Sequence, residues 1–312
     1  MVVVVGGQRE RAALSLRSLL QQSAIDRMEI LLFDLSPPDC AALPGSNHPR
    51  VKVIRGSPDD LLGASRANGV RMSRAPVIGF IEEHCEMQPG GAEAIIAAHR
   101  GPWAAVGCDF INGNPSAGKS EQAFRMSYGV YVRPQRHGGP SKYIAGQNSS
   151  YKRSVLLRYD THLDLMLAAD LVLQWKISED GEQLFYEPAA KIAHRNETEF
   201  SRLCVGVFYW GWSFTGIRAE VFGWNWIVKV FRILLSPLIP WVRMVKTLIA
   251  IWPRGVWQVL QFFCDLPFSI AINYCSAAGQ VAGLLRNVET GVREFSYFEM
   301  NEPRLLRTEL TP

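Results

Sequence analysis

The sequence lacks the features of a small stapled or metal-ribbon protein. Its six cysteines, at positions 40, 85, 108, 204, 264 and 275, show no CxxC and no paired spacing. That excludes a disulfide framework and a cysteine-based zinc site, and fits free thiols in a reducing compartment. A secretory leader is not expected, because Met1-Val-Val-Val-Val-Gly-Gly has no basic start and its apolar run is short. The chain opens inside its first expected strand, so a few upstream residues are expected from a misassigned start. Net charge is only +4 over 312 residues, with no block of like charges and no nucleic-acid-binding signature. Nucleic acid is therefore excluded as a partner. The sharpest lack is local: residues 204–285 hold two acids, Glu220 and Asp265, against six Lys or Arg.

What is present is an apolar fraction of 48%, enough for one α/β domain and an appendage. Val2–Val5 is an unbroken β-branched run, the pattern of a strand buried on both faces of a parallel sheet. Further strands are expected at Met28–Phe33, Val51–Ile54, Pro76–Ile81, Ala104–Phe110 and Gln183–Tyr186. Helices are expected at Glu10–Gln22, Leu61–Arg74, Ala92–His99 and Asp164–Ile177, with the chain entering another helix from Asn148–Tyr151. Gly113–Pro140 reads as irregular. Alternating strands and helices imply a mostly parallel sheet, whose ligand site lies beyond the carboxyl ends of its strands. Those ends carry Gly6-Gly7-Gln8, Asp34 and Glu82-Glu83-His84.

From Cys204 the composition changes. Residues 204–285 hold seven of the nine tryptophans, and Trp224–Trp252 is apolar but interrupted by Lys229, Arg232, Arg243 and Lys246. A spanning helix would place those cations in hydrocarbon, at roughly 2.5–3.5 kcal/mol each near the midplane. Two amphipathic helices in the interface, hinged at Leu235–Pro240, avoid that cost. Leu266–Leu285 reaches the length of a span but carries Asn273, Ser276 and Gln280. The expected division is 1–203, an α/β domain; 204–285, a membrane-associating helical region; and 286–312, a polar tail. A peripheral or monotopic protein on the cytoplasmic face of the cell membrane follows.

The order of these pieces resembles family 2 glycosyltransferases of the GT-A fold over residues 2–200. The family's nucleotide-touching loop after the first strand is matched by Val5-Gly6-Gly7-Gln8-Arg9. Its acidic end to the second strand is matched by Asp34, and its helical Arg with a Gly three residues on by Arg66 and Gly69. Its Asp-x-Asp metal motif falls at Ile81-Glu82-Glu83-His84-Cys85, and its Gly-x-Asn element at Gly146-Gln147-Asn148. An acid followed by Gly, Pro and His is matched by Asp170, Gly181, Pro188 and His194. The departures are equally definite: Glu82 and His84 stand where the metal-binding Asp residues belong, and Ala169-Asp170 replaces a Glu-Asp pair.

The resemblance implies a nucleoside-diphosphate sugar donor, and a lipid-linked or polysaccharide acceptor. It assigns the nucleotide to Gly6, Gly7, Gln8, Asp34, Arg66, Glu82 and Glu83. Mn2+ or Mg2+ falls to Glu82, His84 and His194, with the mixed carboxylate and imidazole set favouring Mn2+. Asn148 and Ser149 would line the sugar or acceptor side. Asp170, in an apolar stretch that raises its pKa, would be the general base of an inverting transfer. The alternative is a non-catalytic membrane-associated partner that keeps the fold and has lost the metal motif. A nucleotidyltransferase is disfavoured by the lack of a Gly-rich run followed by Arg and Lys.

Overall fold

Four consecutive valines at Val2–Val5 form β1, and all four are buried. In the computed structural model, which describes residues 1–114, 121–125, 137–252 and 255–301, this strand lies inside the sheet. It pairs in parallel with β2 (Ile30–Asp34) on one side and β4 (Val77–Glu82) on the other. Beyond β2 comes β3 (Val51–Arg55), whose partly exposed pattern with Lys52 and Arg55 suits an edge strand. The full order is β3-β2-β1-β4-β8-β6-β9-β5. Here β5 is Cys85–Met87, β6 is Ala105–Asn112, β8 is Ser149–Lys152 and β9 is Leu184–His194. A short β7 (Gly139–Ser141) pairs with β9.

The helices α1 (Arg9–Leu20), α2 (Leu62–Met72) and α3 (Gly91–Ala98) fall where the apolar periodicity predicts them. In α1 the apolar residues Ala12, Leu16 and Leu19 are all buried.

Three local expectations are corrected. Ser149–Lys152 is not a helix entry but β8, antiparallel to both β4 and β6. Sandwiched between two strands, its backbone groups are taken by ladders, and α4 (Arg153–Leu156) begins only after it. The single helix expected at Asp164–Ile177 is broken into α5 (Leu163–Met166) and α6 (Asp170–Glu179). At the break, the Leu167 carbonyl accepts from Arg66 Nη1 at 3.0 Å. Asp170 thereby becomes the first residue of a helix. The strand before His194 runs eleven residues, with its register against β6 shifting between Cys108 and Asp109. Pro188 sits in that irregularity, where a missing N–H is tolerated.

The chain divides into two units, 1–115 with 135–195 and 300–312, and 116–134 with 196–299. In the second unit α7 (Phe200–Val221) packs on α11 (Leu266–Leu285), where Gly279 lets the backbone meet the Phe208 carbonyl. Between them lie α8 (Trp226–Leu235), α9 (Ile239–Ile251) and α10 (Val256–Cys264). Asn225 caps α8 by accepting from the Val228 N–H at 3.0 Å. The expected hinge is a short 3-10 turn at Ser236–Leu238, with Pro237 and Pro240 at the helix starts. The expected polar tail instead begins with a helix, α12 (Val288–Asn301). The rest of that tail and most of the expected irregular stretch after Gly113 lie outside the described residues.

Candidate active site

Sheet register assembles the first cluster. β4 ends at Glu82, a turn carries Glu83 and His84, and the chain re-enters as β5 at Cys85. β5 runs antiparallel to β9 with Cys85 opposite His194. Residues more than a hundred positions apart in sequence thus meet at one point. The His84 and His194 Nε2 atoms are 3.0 Å apart, with Glu82 Oε2 at 3.5 Å from the first and 3.7 Å from the second. Cys85 Sγ donates to the same carboxylate oxygen at 3.7 Å. One donor atom from each of the four side chains falls within 4.8 Å of the others, and all four residues are buried.

The donor set bears on which cation fits. Metal–nitrogen bonds of about 2.0–2.1 Å place two imidazoles on one ion roughly 3 Å apart, as His84 and His194 stand. Two imidazoles, one carboxylate and a thiol suit Mn2+ or Zn2+, whereas Mg2+ seeks an oxygen shell. The spacing of the two imidazoles and the Glu82 carboxylate fits one divalent cation among them. Cys85 was not foreseen as a member. Its only sequence signal is adjacency to His84, and the pairing with His194 is a matter of register.

Asn148 holds the cluster in place instead of facing a sugar as expected. Its Nδ2 donates to Glu82 Oε2 at 2.7 Å, while its Oδ1 accepts from the Glu82 N–H at 3.0 Å. This two-point clamp fixes both the backbone and the carboxylate of Glu82. Ser149 is also turned inward, donating to the Gly146 carbonyl and lying 3.0 Å from the Tyr151 hydroxyl. Ser149 is buried, with its hydroxyl engaged by these two groups.

Glu83 points the other way. It accepts from the Gly6 N–H at 2.7 Å and from Arg11 at 2.5 and 2.9 Å, with both ion-pair partners buried. The expected nucleotide contact at Glu83 is thus replaced by a buried bridge that ties the loop after β1 to the turn after β4. That loop is internally engaged throughout. Gly7 N–H donates to Asn301 Oδ1 at 3.3 Å and Gln8 Nε2 to the Asn301 carbonyl at 2.8 Å. In this structure Gly6, Gly7 and Gln8 spend their polar groups on Glu83 and Asn301.

Asp34 lies at the end of β2 as expected, already surrounded by cations. Arg9 contacts its two oxygens at 2.8 and 3.1 Å, Arg55 approaches to 3.2 Å, and Ser36 Oγ donates at 2.6 Å. Burial pushes the carboxyl up, but hydrogen bonds from Arg9 and Ser36 outweigh it and hold the group below the usual carboxylate range. Arg9 and Arg55, not Arg66, are the partners of Asp34. Sequence spacing could not pair them.

Arg66 serves Asp170 instead. Its Nη1 anchors the Leu167 carbonyl just before α6, and its charge lies close enough to act on the Asp170 carboxyl. Burial dominates that carboxyl and raises it to about 6, against the downward pull of Arg66 and a backbone N–H. One oxygen, Oδ2, is buried with no hydrogen-bond partner. Gly146 packs directly on it, since a Cβ there would fall 2.3 Å from Asp170 Cβ. Gly146 and Asn148 therefore belong to one loop that touches Asp170 at one end and Glu82 at the other.

A separate cavity of about 660 Å³ lies beside α1, lined by Glu10, Arg17, Glu86, Asn112 and Arg195 among others. Successive strand residues face opposite ways, so Glu86 and Arg195 open to it while Cys85 and His194 face the cluster. None of the expected site residues lines it.

Residues 2–159 match the family described as Glycosyl transferase family 2. Among solved structures, that of GalNAc-T7 with UDP, GalNAc and Mn2+ is similar at a TM-score of 0.47 and 16% identity, over 62% of this chain and 42% of that one. The chain spans less than half the length of that protein. No curated protein matches the chain.

Proposed function

The chain belongs to glycosyltransferase family 2 and has the GT-A type of fold, and on that premise we propose an inverting transfer of one sugar from a nucleoside-diphosphate donor. The acceptor is a hydroxyl on a membrane-linked or polysaccharide glycan, in synthesis of the cell envelope or an exopolysaccharide. The observation that carries this reading is the convergence of Glu82, His84, Cys85 and His194 at the strand ends of a family 2 domain.

Breaking the glycosidic bond leaves negative charge on the departing diphosphate. Glu82, His84 and His194 would hold a divalent cation, which would supply charge to neutralise the leaving diphosphate. The chain's own residues do the rest. Asn148 holds the Glu82 carboxylate in one orientation. Asp170, with one oxygen unpartnered and a raised pKa, takes the proton of the acceptor hydroxyl as that oxygen attacks the anomeric carbon. Arg66 fixes the turn that aims Asp170. Asp34, held ionised by Arg9 and Ser36, is the donor-side carboxylate for ribose or base hydroxyl and N–H groups.

The test is calorimetric binding of UDP and GDP, with and without Mn2+, to the full chain and to its Glu82→Gln and His84→Ala variants. Binding of one nucleotide that requires Mn2+ and is lost in both variants supports the transferase. The rival is a non-catalytic partner, favoured by the engagement of Gly6, Gly7 and Gln8 with Glu83 and Asn301. Folded protein that binds neither nucleotide establishes that rival instead.

A further inference from the structure

In the second unit, three consecutive helices each leave one apolar stripe uncovered. On α8 the exposed residues are Trp226 (73%), Ile227, Val230, Phe231 (61%), Leu234 (71%) and Leu235. On α9, Trp241, Val242, Val245 and Ile249 repeat the spacing. On α10, Val256, Trp257 (65%), Leu260 and Phe263 do so again. Positions i, i+1, i+4 and i+8 fall on one side of a helix, so each stripe is a face and not a scatter. A water-soluble monomer rarely leaves so many large apolar side chains of consecutive helices exposed.

We propose that this three-helix face inserts into the interfacial layer of an anionic lipid bilayer, as a monotopic seat in which no helix crosses. Charge selects the occupant. Between Phe222 and Cys264 the sequence has no Asp or Glu, against the cations Lys229, Arg232, Arg243 and Lys246, of which Lys246 is exposed beside its stripe. A protein partner of ordinary composition is met by a rim of both signs. A second copy of this chain would set like charges against one another across a two-fold interface. Lipid headgroups of negative charge meet neither objection, and exposed Trp226, Trp241, Trp252 and Trp257 suit headgroup depth.

Two features hold the seat at the interface. Arg232 lies 3.7 Å from the Trp224 ring centroid, and Arg243 donates to Asn273 and Ser276 at 3.3 and 3.0 Å. Both cations thus point away from the stripes and leave the inserting face free of charge. Among the described residues one helix is long and apolar enough to cross, Leu266–Leu285, and its small residues pack on α7, with Gly279 against Phe208 and Gly283 against Trp212. The seat stands independently of the transfer chemistry.

The experiment is flotation of the full chain with vesicles of phosphatidylcholine alone and of phosphatidylcholine mixed with phosphatidylglycerol. The chain floats with the mixed vesicles, less with the neutral ones, and less again at high salt. Brominated lipid tails, labelled near the headgroup, quench its tryptophan fluorescence. Phe231→Glu with Leu234→Glu lowers partition at least tenfold, since each apolar side chain withdrawn from lipid costs on the order of tenfold. Lys229→Glu with Lys246→Glu removes the preference for the anionic vesicles. Phe231, Leu234 and Lys246 are exposed and Lys229 is half-buried, and matching circular dichroism and melting of the variants confirm that they fold. Three results overturn the proposal. One is folded chain that stays in the aqueous fraction with both vesicles. Another is a dimer in solution that Phe231→Glu with Leu234→Glu returns to monomer. The third is resistance to carbonate extraction with protease-accessible sites on both sides of the bilayer.

Discussion

Replacing Asp170 by Asn should make this protein more stable at neutral pH while disabling transfer. The Asp170 carboxyl is raised from 3.8 to about 6, first by burial, with Arg66 only partly offsetting it. Its folded pKa lies above the unfolded one, so the native state favours the protonated form. Well below the unfolded value of 3.8 the group is protonated in both states and costs nothing, and by pH 4 the cost is still small. As pH rises through the window from about 4 to 6, the unfolded chain ionises freely while the folded one resists, and stability is lost. Above that window the full cost remains. A shift of roughly two units, at about 1.4 kcal/mol per unit, sets it at up to about 3 kcal/mol. Asn is close in shape and carries no charge, so Asp170→Asn removes the cost.

The assay is urea unfolding of wild type and Asp170→Asn at pH 7.5 and at pH 4. The variant should be more stable by about 1–3 kcal/mol at pH 7.5, and the gain should largely vanish at pH 4. Because other carboxylates titrate alike in both proteins, the difference isolates this one. A gain that is the same at both pH values, or a variant less stable at pH 7.5, would refute the placement of Asp170 as a buried carboxyl under strain. Turnover should fall by a factor of about 10²–10⁴, the usual range for losing a general base.

Two further outcomes follow from the site's supports. Glu83→Gln leaves Arg11 as a buried cation without its carboxylate and should cost about 3–5 kcal/mol in urea unfolding. A change under 1 kcal/mol would show that the Arg11–Glu83 bridge is not a fixed part of the loop after β1. Asn148→Ala frees the Glu82 carboxylate and should weaken Mn2+ binding about 10–100-fold by calorimetry, and loss of two buried hydrogen bonds should cost about 1–3 kcal/mol of stability. Unchanged Mn2+ affinity would place the metal elsewhere.

Much of the fold is written in local pattern. The buried runs at Val2–Val5 and Ile30–Phe33, the helical periodicity of α1 and α2, and the acids at strand ends are all short-range features, and the structure keeps them in place. Composition alone also marks the second unit, because an acid-free, Trp-rich stretch interrupted by cations has few ways to satisfy water on every side. Glu82, His84 and His194 are expected together from motif order, and the structure brings their side chains within 4.8 Å of one another.

Tertiary structure decided the rest, because the decisive contacts have no local signature. Ser149–Lys152 is polar and short, and only ladders to β4 and β6 make it a strand. The break before Asp170 depends on Arg66, about a hundred residues earlier, capturing a single carbonyl. Cys85 joins His194 through strand register, and Arg9 and Arg55 reach Asp34 through the parallel order of β1, β2 and β3. Glu83 and Asn148 carry the residue types of ligand contacts, and they act as supports because their nearest partners are Arg11, Gly6 and Glu82. Sequence determined which groups this protein has available. Packing decided which of them are consumed internally and which, like Asp170 Oδ2, are buried without a hydrogen-bond partner.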